Sequence, residues 1–147
     1  MDRKQVIQKT IDKISGKVHL EIGVKRGATF LNINSKIKIG VDPNFGFSVR
    51  EHRSSNIKFF EVTSDYFFRQ YAKNLLENKI DIAFIDGLHT YEQSLKDVRN
   101  CMKYLSKSGV IIMHDCNPPN EPAANKSLSL AKETKEWSGE WWGDVGK

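Results

Sequence analysis

The sequence has few cysteines and no long apolar segment. Two cysteines, Cys101 and Cys116, occur in 147 residues, too few for a disulfide framework. We therefore expect reduced thiols and a reducing compartment. The N-terminal segment is charged from Asp2 onward and has no apolar core of signal-peptide length. No apolar run approaches the roughly 18 residues that cross a bilayer, so we expect a cytoplasmic protein that does not contact membranes.

Concentrated positive charge is also missing. The formal net charge is +5, from 23 basic and 18 acidic residues, but the basic residues are spread along the chain. Nucleic-acid-binding domains usually carry a basic stripe or a recognisable module. We interpret the basic residues as a solvated surface and expect no nucleic-acid partner. Attraction of an anionic small substrate stays open.

What the sequence does contain is a regular alternation of helical and extended patterns. This alternation predicts one α/β domain with a parallel sheet covered by helices on both faces, a Rossmann-like doubly wound fold of three layers. The predicted helices span 3–14, 28–33 (a helix start), 47–53, 63–78 and 90–105, and the predicted strands span 18–23, 36–42, 56–62, 80–86 and 110–115.

The character of the chain changes after residue 115. The next residues are rich in Pro, Asn and Ala and predict a loop, followed by a short helix within 127–137. The end of the chain is Gly- and Trp-rich, with Trp137, Trp141 and Trp142. These aromatic side chains would either wall a substrate pocket or pack against the edge of the sheet.

Ligands of such sheets bind at the carboxyl ends of the strands, and the first of these ends reads E-x-G-x-x-x-G. Glu21 is followed by Gly23 and Gly27, and glycine lets the backbone adopt positive φ and approach a ligand. The G-x-G-x-x-G that cradles a pyrophosphate is absent, which argues against a nicotinamide-dependent oxidoreductase. A leading carboxylate suits a cationic ligand. The alternative is a tight turn beside a surface glutamate.

Polar residues also follow the second and third strands. Asp42 lies 19 residues after Gly23, where an acid accepts hydrogen bonds from the two hydroxyls of a ribose. Its alternative role is a simple Asp-Pro turn. Ser64 and Asp65 follow the third strand, either beside an adenine or as the N-cap of the next helix.

The fourth and fifth strands end in Asp86 and Asp115, with His89 and His114 beside them. If these strands are neighbours, the two carboxylates converge and offer the oxygen ligands that Mg²⁺ prefers. A histidine near its ordinary pKa could accept a hydroxyl proton, so His89 and His114 are the candidate catalytic bases. In the alternative, a protonated histidine pairs with the carboxylates and no metal is needed.

These segments together resemble the class I S-adenosylmethionine-dependent methyltransferases over about residues 17–118. The motifs FIDGLHTYEQSLKDV and GVIIMHDCNP resemble, more narrowly, the group that includes macrocin O-methyltransferase and the cephalosporin-hydroxylase-like proteins. HLEIGVKRGATF, IGVDPN and FEVTSDYF are similar to the family's first three motifs. The resemblance implies a strand order of 3-2-1-4-5 and S-adenosylmethionine as the cofactor.

The resemblance also implies roles for single residues. Glu21, Gly23 and Gly27 would hold the methionine end of the cofactor, Asp42 the ribose and Ser64 the adenine. Asp86 would contact the cofactor, and Asp86 and Asp115 would bind Mg²⁺, as the corresponding acids do in catechol O-methyltransferase. That enzyme has Asn where this chain has Cys116, and other relatives have an acid where it has His114, so the third metal ligand stays open.

One departure concerns the end of the sheet. The family usually has seven strands, and this sequence predicts five, so we expect either a fragment truncated at its C-terminus or a naturally short domain. An uncovered edge of strand five predicts a homodimer through that edge. The leading functional hypothesis is O-methylation of a small hydroxylated acceptor. The rival is a module that binds S-adenosylmethionine without catalysis.

Overall fold

A five-stranded parallel sheet forms the centre of the fold. The computed structural model describes residues 2–77 and 79–116. The strand order is β3-β2-β1-β4-β5, which confirms the predicted Rossmann-like arrangement. The strands are β1 (Val18–Ile22), β2 (Ile37–Val41), β3 (Ile57–Phe60), β4 (Ile80–Ile85) and β5 (Leu105–Met113).

Helices connect the strands and cover the sheet. They are α1 (Arg3–Ile14), α2 (Val49–His52), α3 (Ser64–Gln70), α4 (Ala72–Leu75) and α5 (Tyr91–Met102). The first begins with a capping box, in which the Asp2 side chain accepts from the backbone N–H of Gln5 and the Gln5 side chain accepts from that of Asp2. Within the described residues, no helix is both long and apolar enough to span a bilayer.

Alternating strand residues pack on opposite faces of the sheet. Ala83 and Ile85 of β4 join the larger core, which includes Phe67 of α3 and Cys101 of α5. On the other face, Ile82 and Phe84 contact Ile7 and Ile11 of α1. Burying an aliphatic or aromatic side chain contributes about 1.5–3 kcal/mol, so these contacts fix α1 against the sheet although its solvent face is polar.

Three predicted helices are shorter than expected. Residues 28–33 contain only a 3-10 turn, Phe30–Asn32, and the helix expected at 47–53 is α2. The helix expected at 63–78 is interrupted at Tyr71, whose φ of −116° is not helical, and Asn78 lies outside the described residues. Its N-cap is the Thr63 side chain, which accepts from the backbone N–H of Tyr66.

The last helix and strand also differ from the prediction. The helix expected at 90–105 ends at Met102, and β5 begins five residues earlier than predicted, with a register shift against β4 between Ile80 and Ile82. The spacing of Tyr91, Leu95, Val98, Met102 and Leu105 predicts an apolar stripe on this helix, and that prediction was wrong in part. Tyr91 and Met102 are exposed, whereas Asp97 is buried, because other polar side chains bond it. The predicted helix at 127–137, the three tryptophans and the rest of 117–147 lie outside the described residues.

Candidate cofactor and catalytic site

A cavity of about 1080 Å³ opens at the carboxyl ends of the strands. Six of the residues predicted for the site line it: Glu21, Gly23, Asp42, Ser64, Asp86 and His89. The parallel register brings them together from β1, β2, β4 and the start of α3. Gly27, His114 and Asp115 are not among its described lining residues.

Both glycines of the first turn have positive φ, +85° at Gly23 and +74° at Gly27. A Cβ on Gly23 would lie 2.0 Å from the carbonyl oxygen of Asp86, and a Cβ on Gly27 would lie 2.7 Å from Leu31 Cδ1. The chain's own packing therefore requires both glycines. Gly23 brings the ends of β1 and β4 together, and Gly27 fits a tight turn behind the cavity wall.

Asp42 holds the loops on both sides of it. One carboxylate oxygen accepts from the backbone N–H of Lys25 at 2.7 Å, and the other accepts from that of Asn44 at 2.8 Å. Each oxygen of an ionised carboxylate has a second acceptor site. Asp42 thus forms the predicted turn and also lines the cavity, where an acceptor for a hydroxyl is still available.

The end of β1 carries a buried polar array that the sequence reading missed in part. Glu21 Oε2 lies 3.2 Å from His19 Nε2, and both side chains are almost fully buried. Burial raises the pKa of Glu21 well above its usual value, and the charge of Asp86 adds to this. Burial, with the nearby charge of Lys38, lowers the pKa of His19 to about 3, so the imidazole is neutral at neutral pH.

A second polar network joins α3 to α5. The amide nitrogen of Gln93 lies 3.2 Å from Ser64 Oγ, 3.2 Å from Asp65 Oδ1 and 3.1 Å from Asp97 Oδ1. Burial raises the pKa of Asp97. Ser64 and Gln93 both line the cavity, so Gln93 is a site residue that sequence reasoning missed. The sequence pattern held no signal for it, because Gln93 lies on the opposite side of the helix from the apolar residues Tyr91, Leu95 and Val98.

The ends of β4 and β5 bring Asp86, His89, His114 and Asp115 together, as predicted. His114 Nδ1 lies 3.1 Å from Asp115 Oδ2 and 3.3 Å from Asp86 Oδ1. His89 Nε2 lies 3.4 Å from Asp86 Oδ1. Arg3 was not predicted, yet its Nη1 lies 3.0 Å from Asp86 Oδ2 and 3.5 Å from His114 Nε2. It reaches them from the first turn of α1.

Two carboxylate oxygens of this cluster fit a cation. Asp86 Oδ1 and Asp115 Oδ2 are buried, and each lies 3.1–3.7 Å from a ring nitrogen of His89 and of His114. Both face the space around His114 Nδ1, and Asp115 adopts a φ of +54° to turn there. Among residues 2–77 and 79–116, however, no three His, Cys, Asp or Glu side chains form a ready metal site. The cluster therefore offers a divalent ion two carboxylates, with water for the remaining positions.

Comparison with known proteins agrees with this geometry. A family model described as "Methyltransferase domain" matches residues 20–116, from the start of the glycine turn to the end of the described residues. An uncharacterized protein of Acanthamoeba polyphaga mimivirus is 31% identical over 130 residues, covering 76% of this chain. The chain spans 59% of the length of that relative.

Proposed function

The chain belongs to the methyltransferase domain family, and on that premise we propose that it methylates a hydroxyl of a small acceptor, with S-adenosylmethionine as the methyl donor. The observation that carries the proposal is the cavity itself. It combines a buried carboxyl near the end of β1, an acid after β2, and an acid with a histidine after β4. An in-line transfer needs mainly that donor and acceptor are held in position.

The donor would lie along the carboxyl ends of β1 and β2. It supplies a methyl group on a positively charged sulfur. Glu21 would accept from the ammonium of its methionine end, Asp42 would accept from the ribose hydroxyls, and Ser64 would lie beside the adenine. Gly23 lets the ends of β1 and β4 approach each other at this part of the cavity, because any side chain there would collide with the backbone of Asp86 and Gly87, just after β4.

The acceptor would lie beside the end of β4, where His89 lines the cavity. Its hydroxyl must lose a proton as the carbon–oxygen bond forms, and His89 would accept that proton. His114 is the weaker candidate. It is not among the described residues that line the cavity, and its Nε2 lies 3.5 Å from Arg3 Nη1.

Asp86 and Asp115 would hold a divalent ion such as Mg²⁺ through Asp86 Oδ1 and Asp115 Oδ2, in place of the contacts that these oxygens make with His114 Nδ1. Two carboxylates so close to each other repel, and a hard cation relieves the repulsion. Such an ion would lower the pKa of a bound hydroxyl. Arg3 already balances part of this charge through Asp86 Oδ2, so we expect the ion to be held weakly.

The test has two stages. Calorimetry with S-adenosylhomocysteine, the demethylated cofactor, should give a micromolar Kd that weakens in Asp42→Ala but not in Asp12→Ala, a surface control on α1. Transfer of a labelled methyl group to a panel of small hydroxylated acceptors is then measured with and without Mg²⁺. His89→Gln should abolish transfer, and the exposed control His52→Gln should not.

The outcomes separate the alternatives. Failure of the native chain to bind at millimolar ligand would overturn the cofactor assignment. Binding without transfer to any acceptor would favour the rival, a module that binds S-adenosylmethionine without catalysis.

A further inference from the structure

His19 is an unfavourable residue for the stability of the fold at its position. It lies in the middle of β1, paired with Lys38 on β2 and with Ile82 on β4, and its side chain is 0% exposed. A buried polar group is tolerated when its hydrogen bonds are made. Nε2 has one partner, Glu21, but Nδ1 has no hydrogen-bond partner among the described residues. An aliphatic side chain would suit this position better for folding alone.

The one bond that His19 makes reaches the floor of the cavity. Residues two apart on a strand point to the same face, so His19 lies directly beneath Glu21, which lines the cavity. Nε2 holds Oε2 at 3.2 Å. The backbone of Phe30 also bonds this carboxyl. Glu21 is therefore held from below and from the side.

Lys38 does not substitute for this bond. Its Nζ donates to the carbonyl oxygens of Phe30 and Ile33, at 2.9 and 3.0 Å, and so it anchors the 3-10 turn. It contributes positive charge near Glu21, but neither of these hydrogen bonds reaches the carboxyl. Among the described side chains, His19 is the hydrogen-bond partner that orients Glu21.

We propose that His19 is a positioning residue for cofactor recognition: it fixes the Glu21 carboxyl so that this group can receive the ammonium of the methionine end. The proposal rests on the proposed function, because it requires S-adenosylmethionine to be the ligand. His19 acts through Glu21 and touches no ligand atom. Its effect should therefore be confined to ligands that carry the amino-acid end.

The test compares two ligands by calorimetry. S-adenosylhomocysteine has the amino-acid end, and 5′-methylthioadenosine lacks it while keeping adenine and ribose. The variants are His19→Gln and His19→Asn. Both variants replace the imidazole with an amide. The Gln amide nitrogen lies near the position of the imidazole Nε2. The Asn side chain is one carbon shorter, and its amide does not reach Glu21. Urea unfolding of each variant establishes that the chain is folded under the binding conditions.

His19→Asn should weaken the binding of S-adenosylhomocysteine by about tenfold, the scale of one hydrogen bond to a charged group. The same variant should bind 5′-methylthioadenosine with an affinity within about twofold of the native value. His19→Gln should recover most of the lost affinity for S-adenosylhomocysteine. Adding His19→Asn to Glu21→Gln should cause little further loss, because coupled residues are not additive.

If His19→Asn weakens the binding of both ligands equally, His19 is merely structural. Unchanged affinity for S-adenosylhomocysteine in a folded His19→Asn would also overturn the proposal. If the native chain binds neither ligand, the proposed function itself fails. If either variant is unfolded, the Glu21→Gln variant decides, since unchanged selectivity between the two ligands there would equally refute the proposal.

Discussion

Replacing Gly23 with alanine should separate the ends of β1 and β4 on which the site is built. The new Cβ would lie 2.0 Å from the Asp86 carbonyl oxygen, 2.4 Å from its carbon and 2.6 Å from the Gly87 nitrogen. All three are backbone atoms, so no side-chain rotation relieves the contact. The φ of +85° adds a further penalty for any residue with a Cβ.

The size of the effect follows from three contributions. The left-handed conformation costs alanine about 1–2 kcal/mol. Overpacking against fixed backbone costs about 1–3 kcal/mol. Displacing β4 breaks the bond from the Asp86 N–H to the Ile22 carbonyl, which is 2.8 Å long and contributes about 1 kcal/mol. We therefore expect a loss of about 3–6 kcal/mol from a typical total of about 5–15 kcal/mol.

Urea unfolding followed by circular dichroism measures this loss. Gly46→Ala is the matched control, because the atom nearest to its Cβ would be Arg26 Cγ, at 3.2 Å, and that side chain can move. The next two atoms, Lys25 O at 3.5 Å and Arg26 Cα at 3.6 Å, are at ordinary contact distance. The control should change stability by less than about 1 kcal/mol. At conditions where Gly23→Ala remains folded, it should also bind S-adenosylhomocysteine more weakly. If Gly23→Ala and the native chain unfold at the same urea concentration, the prediction that a Cβ at Gly23 collides with the backbone is refuted.

Four further predictions follow from the site and the sheet. Asp42→Ala should weaken cofactor binding by about 1.5–3 kcal/mol by calorimetry; unchanged affinity would leave Asp42 as a turn residue. The pKa of His19 is lowered from 6.5 to about 3, so the stability this group confers is fully present above pH 6.5 and is lost as the pH falls toward 3, at up to about 1.4 kcal/mol per unit. Native stability should therefore fall more steeply with acid than that of His19→Gln, and parallel curves would contradict the buried neutral state. Mn²⁺ titrated into the cofactor-bound protein should bind, and binding should disappear in Asp86→Asn and in Asp115→Asn; no uptake at millimolar ion would leave a histidine base without metal. We predict that the chain self-associates through the edge of β5, which light scattering measures; a monomer at high concentration would count against this, unless the Trp-rich end of the chain covers that edge.

Much of the fold could be predicted because the apolar residues of each helix and strand recur with the spacing typical of that element. The centre of a buried parallel strand is a continuous apolar run, as at 82–85, and the alternation of such strands with helical patterns leaves few topologies. The boundaries were less certain where two patterns overlap. Tyr104 and Leu105 continue the apolar spacing of α5, but β5 begins at Leu105, because pairing with β4 satisfies its backbone. The burial of Asp97 was missed for a different reason, since nothing in the sequence shows that Gln93 will bond its carboxylate.

The sequence by itself determined the fold class and placed carboxylates at the strand ends, because the chain order of a doubly wound sheet dictates which ends share an edge. Only the tertiary structure decided what each carboxylate touches. Arg3 and Asp86 are 83 positions apart in the sequence, and their contact depends on the packing of α1 against the sheet through Ile7 and Ile11. His19 reads as an ordinary strand residue until the strand's alternation places it beneath Glu21. Such contacts are long-range and depend on side-chain direction, which local patterns in the sequence do not record.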